Sequence, residues 1–186
     1  MVEALSNIFT SFGLSASAGL NAYLPLLIVA LVARFTDLIR LNEPFDALTN
    51  AWVIGLLAVL TLIEVVVDKI PAVDTINDII STAIRPAAGA ILFAASSNAI
   101  SDIHPALALA CGILVAGTVH VVKSTARPLV TVTTAGTANP IVSTAEDVTA
   151  GVVSVLSIVV PMVAFAFIVV GLWLVWRGLR GSRAYA

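Results

Sequence analysis

Apolar runs long enough to cross a bilayer recur along this chain, and ionised residues sit inside or directly beside them. About 20 predominantly apolar residues carry a helix through the hydrocarbon core. Five stretches qualify or nearly so: Leu14–Phe35, Ala51–Val67, Pro86–Ile100, Pro105–Val122 and Val148–Trp176. The third is short and rich in Ala and Ser. Composition points the same way, with 60% of the 186 residues hydrophobic, 11% charged and a mean hydropathy of +1.08. Soluble domains carry about 25% charged residues, and a soluble surface this apolar would aggregate. The expectation is a single integral-membrane domain over residues 1–186, an all-α polytopic helix bundle of about five spans. Trp52, Trp173 and Trp176 stand at span ends, where aromatic belts place them.

The same numbers exclude several functions. A formal net charge of −2 and the lack of a basic cluster argue against nucleic acid. Cys111 is the only cysteine and lies in an apolar run, so it reads as a small core residue. His104 and His120 belong to no metal-ligand spacing, and no phosphate loop, dinucleotide fingerprint or serine-nucleophile motif is present. No cofactor and no metal are expected. The first residues contain Glu3 and no Lys or Arg, unlike a secretory leader, so the first apolar run is expected to remain as a span.

The charged residues near the spans are the candidates for chemistry. On a helix over Pro71–Gly89, Asp74, Asn77, Asp78, Ser81 and Arg85 share one face, at offsets of three, four, seven and eleven. Val73, Ile76, Ile80, Ala83 and Ile84 take the other face. One reading is an interfacial amphipathic helix. The alternative is a helix folded against the bundle, because charge at membrane depth faces a partner or a water-filled cavity. Glu64 and Asp68 lie one turn apart at the end of the second span, where two carboxylates can hold a cation or pass a proton. Arg85-Pro86 and Arg127-Pro128 suggest helix starts, since proline suits the first helical position. An Arg at a helix N-terminus, with Lys123 four residues before Arg127, would attract an anion. The competing reading is that the Args neutralise Asp74, Asp78, Glu146 or Asp147. Asn21 lies mid-span beside small residues and needs a hydrogen-bond partner in hydrocarbon. Asn139-Pro140 reads as a break whose freed carbonyls could line a cavity.

Thr125–Ala150 is too apolar for a free loop and too rich in Thr, Gly and Pro for an ordinary span. It is expected to be re-entrant or broken. Ser143 and Glu146 form a capping box that would start a helix near Thr144. From there to Trp176 is roughly 50 Å at 1.5 Å per residue, longer than a core of about 30 Å, so Gly151 and Pro161 are expected kinks. The N-terminal stretch is expected to break at Gly13. The pairs Thr82–Pro86 with Thr125–Pro128, and Ser17–Asn21 with Thr134–Asn139, suggest two related halves. Arg177, Arg180 and Arg183 place the C-terminus in the cytoplasm by the positive-inside rule. Lys69, Arg85, Lys123 and Arg127 then fall on the wrong side, so either they have a task other than topology or the span count is off by one.

The run from Glu64 to Gly89, with the early SAGLNAYLP and the later KSTARP, resembles the domain-of-unknown-function family numbered 4126 over almost the whole chain. The Asp-Lys-x-Pro-x-x-Asp segment is its most specific part. The resemblance implies an integral membrane protein of bacteria and supplies no activity or site residues. The expected function is a small transporter or channel in the bacterial inner membrane, surrounded by membrane lipids and working as a homo-oligomer. Arg85, Lys123, Arg127, Asn21 and Asn139 would bind a small anionic or charged solute. Glu64, Asp68, Asp74 and Asp78 would couple a proton or cation. The alternative is a non-transporting lipid-binding or scaffolding protein. An enzyme acting on a phospho-lipid is a minor third, with no catalytic residues to name.

Overall fold

A computed structural model describes residues 2–97 and 103–182. Within them the chain is all-helical, with no strand. In order come α1 (Val2–Leu20), α2 (Tyr23–Phe35), a 3-10 turn (Phe45–Thr49), α3 (Ala51–Val67), α4 (Pro71–Ser97), α5 (Pro105–Thr134), α6 (Asn139–Val159) and α7 (Pro161–Ser182). Among the described residues three helices are long and apolar enough to cross a membrane: the Asn77–Ser97 part of α4, then α5 and α6. The apolar helices α2 and α3 are shorter. The outer face of α3 exposes Trp52, Leu56, Val59, Leu62, Ile63 and Val66. Such a stripe would be a liability in water and suits contact with lipid tails. The molecule is a helical membrane bundle.

Helix starts follow local chemistry. Proline opens α4, α5 and α7 and stands second in α6, where its missing N–H is no loss. The Asn50 side chain caps α3 by accepting from Trp52 N at 2.9 Å. The centre is the antiparallel α4–α5 pair with α1 laid against both. Gly89 and Gly112 let these two backbones meet. A Cβ on Gly112 would stand 2.6 Å from Ala90 Cα and 2.8 Å from Ala90 N. Hydroxyls add interhelical bonds: Ser15 donates to Gly89 O at 2.8 Å, and Thr10 to Ser157 O at 2.8 Å. Phe12 packs edge-on to Phe93, and Phe9 against Phe165, at the α1, α4 and α7 contact.

Several boundaries differ from expectation. The first span breaks at Asn21–Ala22, not at Gly13. Around Gly13 the helix simply continues, with its carbonyl accepting from Ser17 Oγ at 2.8 Å. Pro86 and Pro128 lie inside α4 and α5, so Arg85 and Arg127 are mid-helix residues and sit at no helix N-terminus. A proline's local preference for the first turn is overridden here; membrane helices tolerate such prolines when neighbours satisfy the freed backbone. The Thr-rich stretch after Thr125 is helical as far as Thr134. Its hydroxyls are satisfied within the helix: Thr125, Thr131, Thr133 and Thr134 all donate to the carbonyl four residues back. The chain then turns through Ala135 (φ 49°) and Gly136 (φ 80°). Gly136 N donates to Thr131 O at 2.9 Å, closing a Schellman-type end. Helix α6 begins at Asn139, earlier than the Ser143–Glu146 spacing implies, and Ser143 is a buried mid-helix residue. The long last segment is divided at Pro161, while Gly151 stays helical within α6. The third expected span is the second half of α4, and its residues 98–100 lie outside the described residues.

Candidate functional site

The break between α1 and α2 lies at the heart of the site. Breaking a helix frees carbonyls at one end and amides at the other, and in hydrocarbon each must be met. The α3 carboxylate of Glu64 meets the amides, accepting from Ala22 N at 3.2 and 3.0 Å and from Tyr23 N at 3.4 Å. Asn21 Oδ1 accepts from Leu24 N at 2.9 Å. On the other side, Lys123 Nζ of α5 donates to Leu20 O at 2.9 Å. An anion thus holds the positive end of α2 and a cation the negative end of α1, as the helix dipole favours.

A network of ion pairs spreads from these two anchors. Arg85, fully buried, reaches Glu64 Oε1 at 3.2 Å, Asp68 Oδ2 at 3.4 Å and Asp78 Oδ1 at 3.2 Å. Lys123 contacts Asp68 Oδ2 at 3.0 Å and Glu146 Oε2 at 3.1 Å. Arg127 contacts Glu146 Oε2 at 2.9 Å and donates to Asp68 O, at the end of α3, at 3.4 Å. Asn77 Nδ2 donates to Asp68 Oδ1 at 2.8 Å. At the rim, Asp147 accepts from Asn21 Nδ2 at 3.0 Å and from Lys69 Nζ at 3.2 Å. Among the described side chains, five carboxylates (Glu64, Asp68, Asp78, Glu146, Asp147) therefore face four cations (Lys69, Arg85, Lys123, Arg127).

His120 closes the network between α4 and α5. Its Nδ1 lies 3.0 Å from Arg85 Nη1, which can only donate. The ring nitrogen must accept, so the imidazole carries its proton on Nε2, 3.1 Å from Thr82 Oγ1. The Thr82 hydroxyl in turn donates to Asp78 O at 2.9 Å. Beside this corner a cleft of 410 Å³ runs between α4 and α5 and reaches Asp78, Thr82, Arg127 and Thr131.

The structure thus brings Glu64, Asp68, Asp78, Arg85, Lys123, Arg127 and Asn21 into one connected cluster. The cations Lys69, Arg85, Lys123 and Arg127, which fitted no topology, are all engaged in ion pairs. Arg85 and Arg127 pair with Asp78 and Glu146, as the neutralising alternative expects. Asn139 is a turn away, its Nδ2 donating to Thr131 Oγ1 at 2.9 Å. The side chain of Asp74 lies outside the described residues. The network also includes Glu146, Asp147, Lys69 and His120, which the sequence does not mark as site residues. The signal for Glu146-Asp147 was adjacent charge at the edge of an apolar run, the same cue that marks Asp68-Lys69. Among the described residues no group of His, Cys, Asp and Glu side chains has the geometry of a metal site.

Fold and site together define a class: a polytopic helical membrane protein with a paired charge cluster at an interrupted helix. Within that class the chain belongs to the family described as Domain of unknown function (DUF4126), whose model matches residues 8–181. No curated protein and no solved structure matches it.

Proposed function

We propose that this protein moves a small charged solute across the bacterial inner membrane as a homo-oligomer with its C-terminus in the cytoplasm, and that the cluster at the α1–α2 break is its binding site. The observation that carries this reading is the juxtaposition of an interrupted helix with ionised side chains and a cleft. Interrupted helices with charge at their ends are how many transporters hold solutes and coupling ions. The cleft supports access from one side, since it touches Asp78 and Arg127, both members of the cluster. In this reading Glu64 or Asp68 exchanges a coupling proton or cation while Arg85, Lys123 and Arg127 change partners.

A second reading, a non-transporting lipid-binding or scaffolding protein, is favoured by the density of pairing. Arg85 alone contacts three carboxylates, and a cluster so satisfied can serve only to hold the break. Flux through proteoliposomes separates the two. Sodium, chloride, phosphate and leucine are each loaded and followed. Transport predicts protein-dependent flux of at least one, reduced at least tenfold by Asp78→Asn and by Arg127→Ala. Flux of none of them, from protein that remains folded, supports the scaffold. Flux unchanged by both substitutions removes the cluster from the path.

A further inference from the structure

The cleft between α4 and α5 presents opposite charges along an apolar wall. Asp78, partly exposed, and Arg127 both line it, joined by the hydroxyls of Thr82 and Thr131. Ile79, Pro128 and Val132 form the apolar side, and all three are exposed. We infer that this cleft binds an amphipathic zwitterion, a small molecule with an ammonium group, an oxyanion and an apolar portion. The inference rests on the cleft being the way into the proposed transport site, and it names the chemistry of the solute.

Charge balance favours a zwitterion over a simple ion. Among the described side chains five carboxylates stand against four cations, so the cluster offers an anion no net positive field. A lone cation entering at Asp78 meets the guanidinium of Arg127. A molecule bearing both charges answers both residues, its oxyanion competing with Glu146 for Arg127 and its ammonium with Arg85 for Asp78. The volume of 410 Å³ lies within the range of about 300–1,000 Å³ that small-molecule sites span.

Binding is measured on the full chain in non-ionic detergent, which supplies no zwitterion of its own. Two probes represent the two sources of this chemistry: leucine for a free amino acid, and dihexanoylphosphatidylethanolamine for a lipid headgroup. Two controls each carry one charge of leucine, 4-methylpentanoate and isoamylamine. The expected result is saturable binding of at least one zwitterion, with each control at least tenfold weaker than leucine or unable to displace the lipid. Asp78→Asn and Arg127→Gln should each weaken binding at least tenfold. Val132→Trp, which fills the cleft from an exposed position outside the ion pairs, should abolish it in a protein that melts normally. Binding of neither zwitterion, equal binding of a singly charged control, or unchanged affinity in Asp78→Asn overturns the inference. Zwitterion binding without flux keeps the inference and removes transport; flux of a simple ion without zwitterion binding does the reverse.

Discussion

Replacing Arg85 with Met lowers folding stability by about 3–5 kcal/mol, the usual penalty for removing one partner of a buried ion pair. The magnitude follows from what is left behind. Glu64 keeps the Ala22 and Tyr23 amides and Asp68 keeps Lys123, but Asp78 loses the only cation that contacts it among the described ion pairs. His120 Nδ1 loses its donor as well. Arg85→Lys recovers only part, because a compact ammonium cannot contact three carboxylates and an imidazole from one position as a guanidinium fork does. Thermal unfolding in detergent reads this directly. A melting temperature within a few degrees of the wild type for Arg85→Met would mean that the arginine is solvated and unpaired.

Lys123→Met should be of similar size, about 3–5 kcal/mol, for a different reason. Lys123 is buried at 4% exposure and binds Asp68, Glu146 and the carbonyl of Leu20 together. Its loss strips the last turn of α1 of its acceptor's partner as well as uncovering two carboxylates. The effect should therefore be local to the α1–α2 break. Hydrogen exchange is expected to speed up most at the amides around Leu20 to Leu24, before the α4–α5 hairpin loosens. Uniform acceleration across all helices would show instead that Lys123 supports the whole bundle and not the break.

Much of the site could be read from residues alone, because charge inside an apolar chain is rare enough to notice. Glu64 and Asp68 at a span end, Arg85 and Lys123 within or beside runs, and Arg127 all stood out, and all meet in one cluster. The helix boundaries were harder. The Arg-Pro pairs imply helix starts by local preference, yet α4 and α5 pass through both prolines, with Arg85 and Arg127 held in the buried ion-pair network beside them. Gly13 reads as a breaker, but the real break is at Asn21–Ala22, where α3 and α5 deliver Glu64 and Lys123 to the loose ends. That delivery is a tertiary event with no local signature. The Thr-rich segment misled for the same kind of reason: its hydroxyls bond back to their own helix, so a polar composition coexists with an ordinary helix. The Ser143–Glu146 spacing suggests a capping box, but Glu146 lies inside α6 and pairs with Lys123 and Arg127, as the neutralising alternative expects of it, while Asp147 pairs with Lys69.

Ionised groups from separate helices bind one another inside the bundle. A double-mutant cycle on Glu64 and Arg85 measures this, with Glu64→Gln, Arg85→Met and the double variant each unfolded in detergent. Their contact at 3.2 Å, with both side chains almost fully buried, should give a coupling of at least about 1.5 kcal/mol, within the range for residues in one network. Strict additivity, to within about 0.5 kcal/mol, would mean that the two charges do not meet and that no such cluster exists.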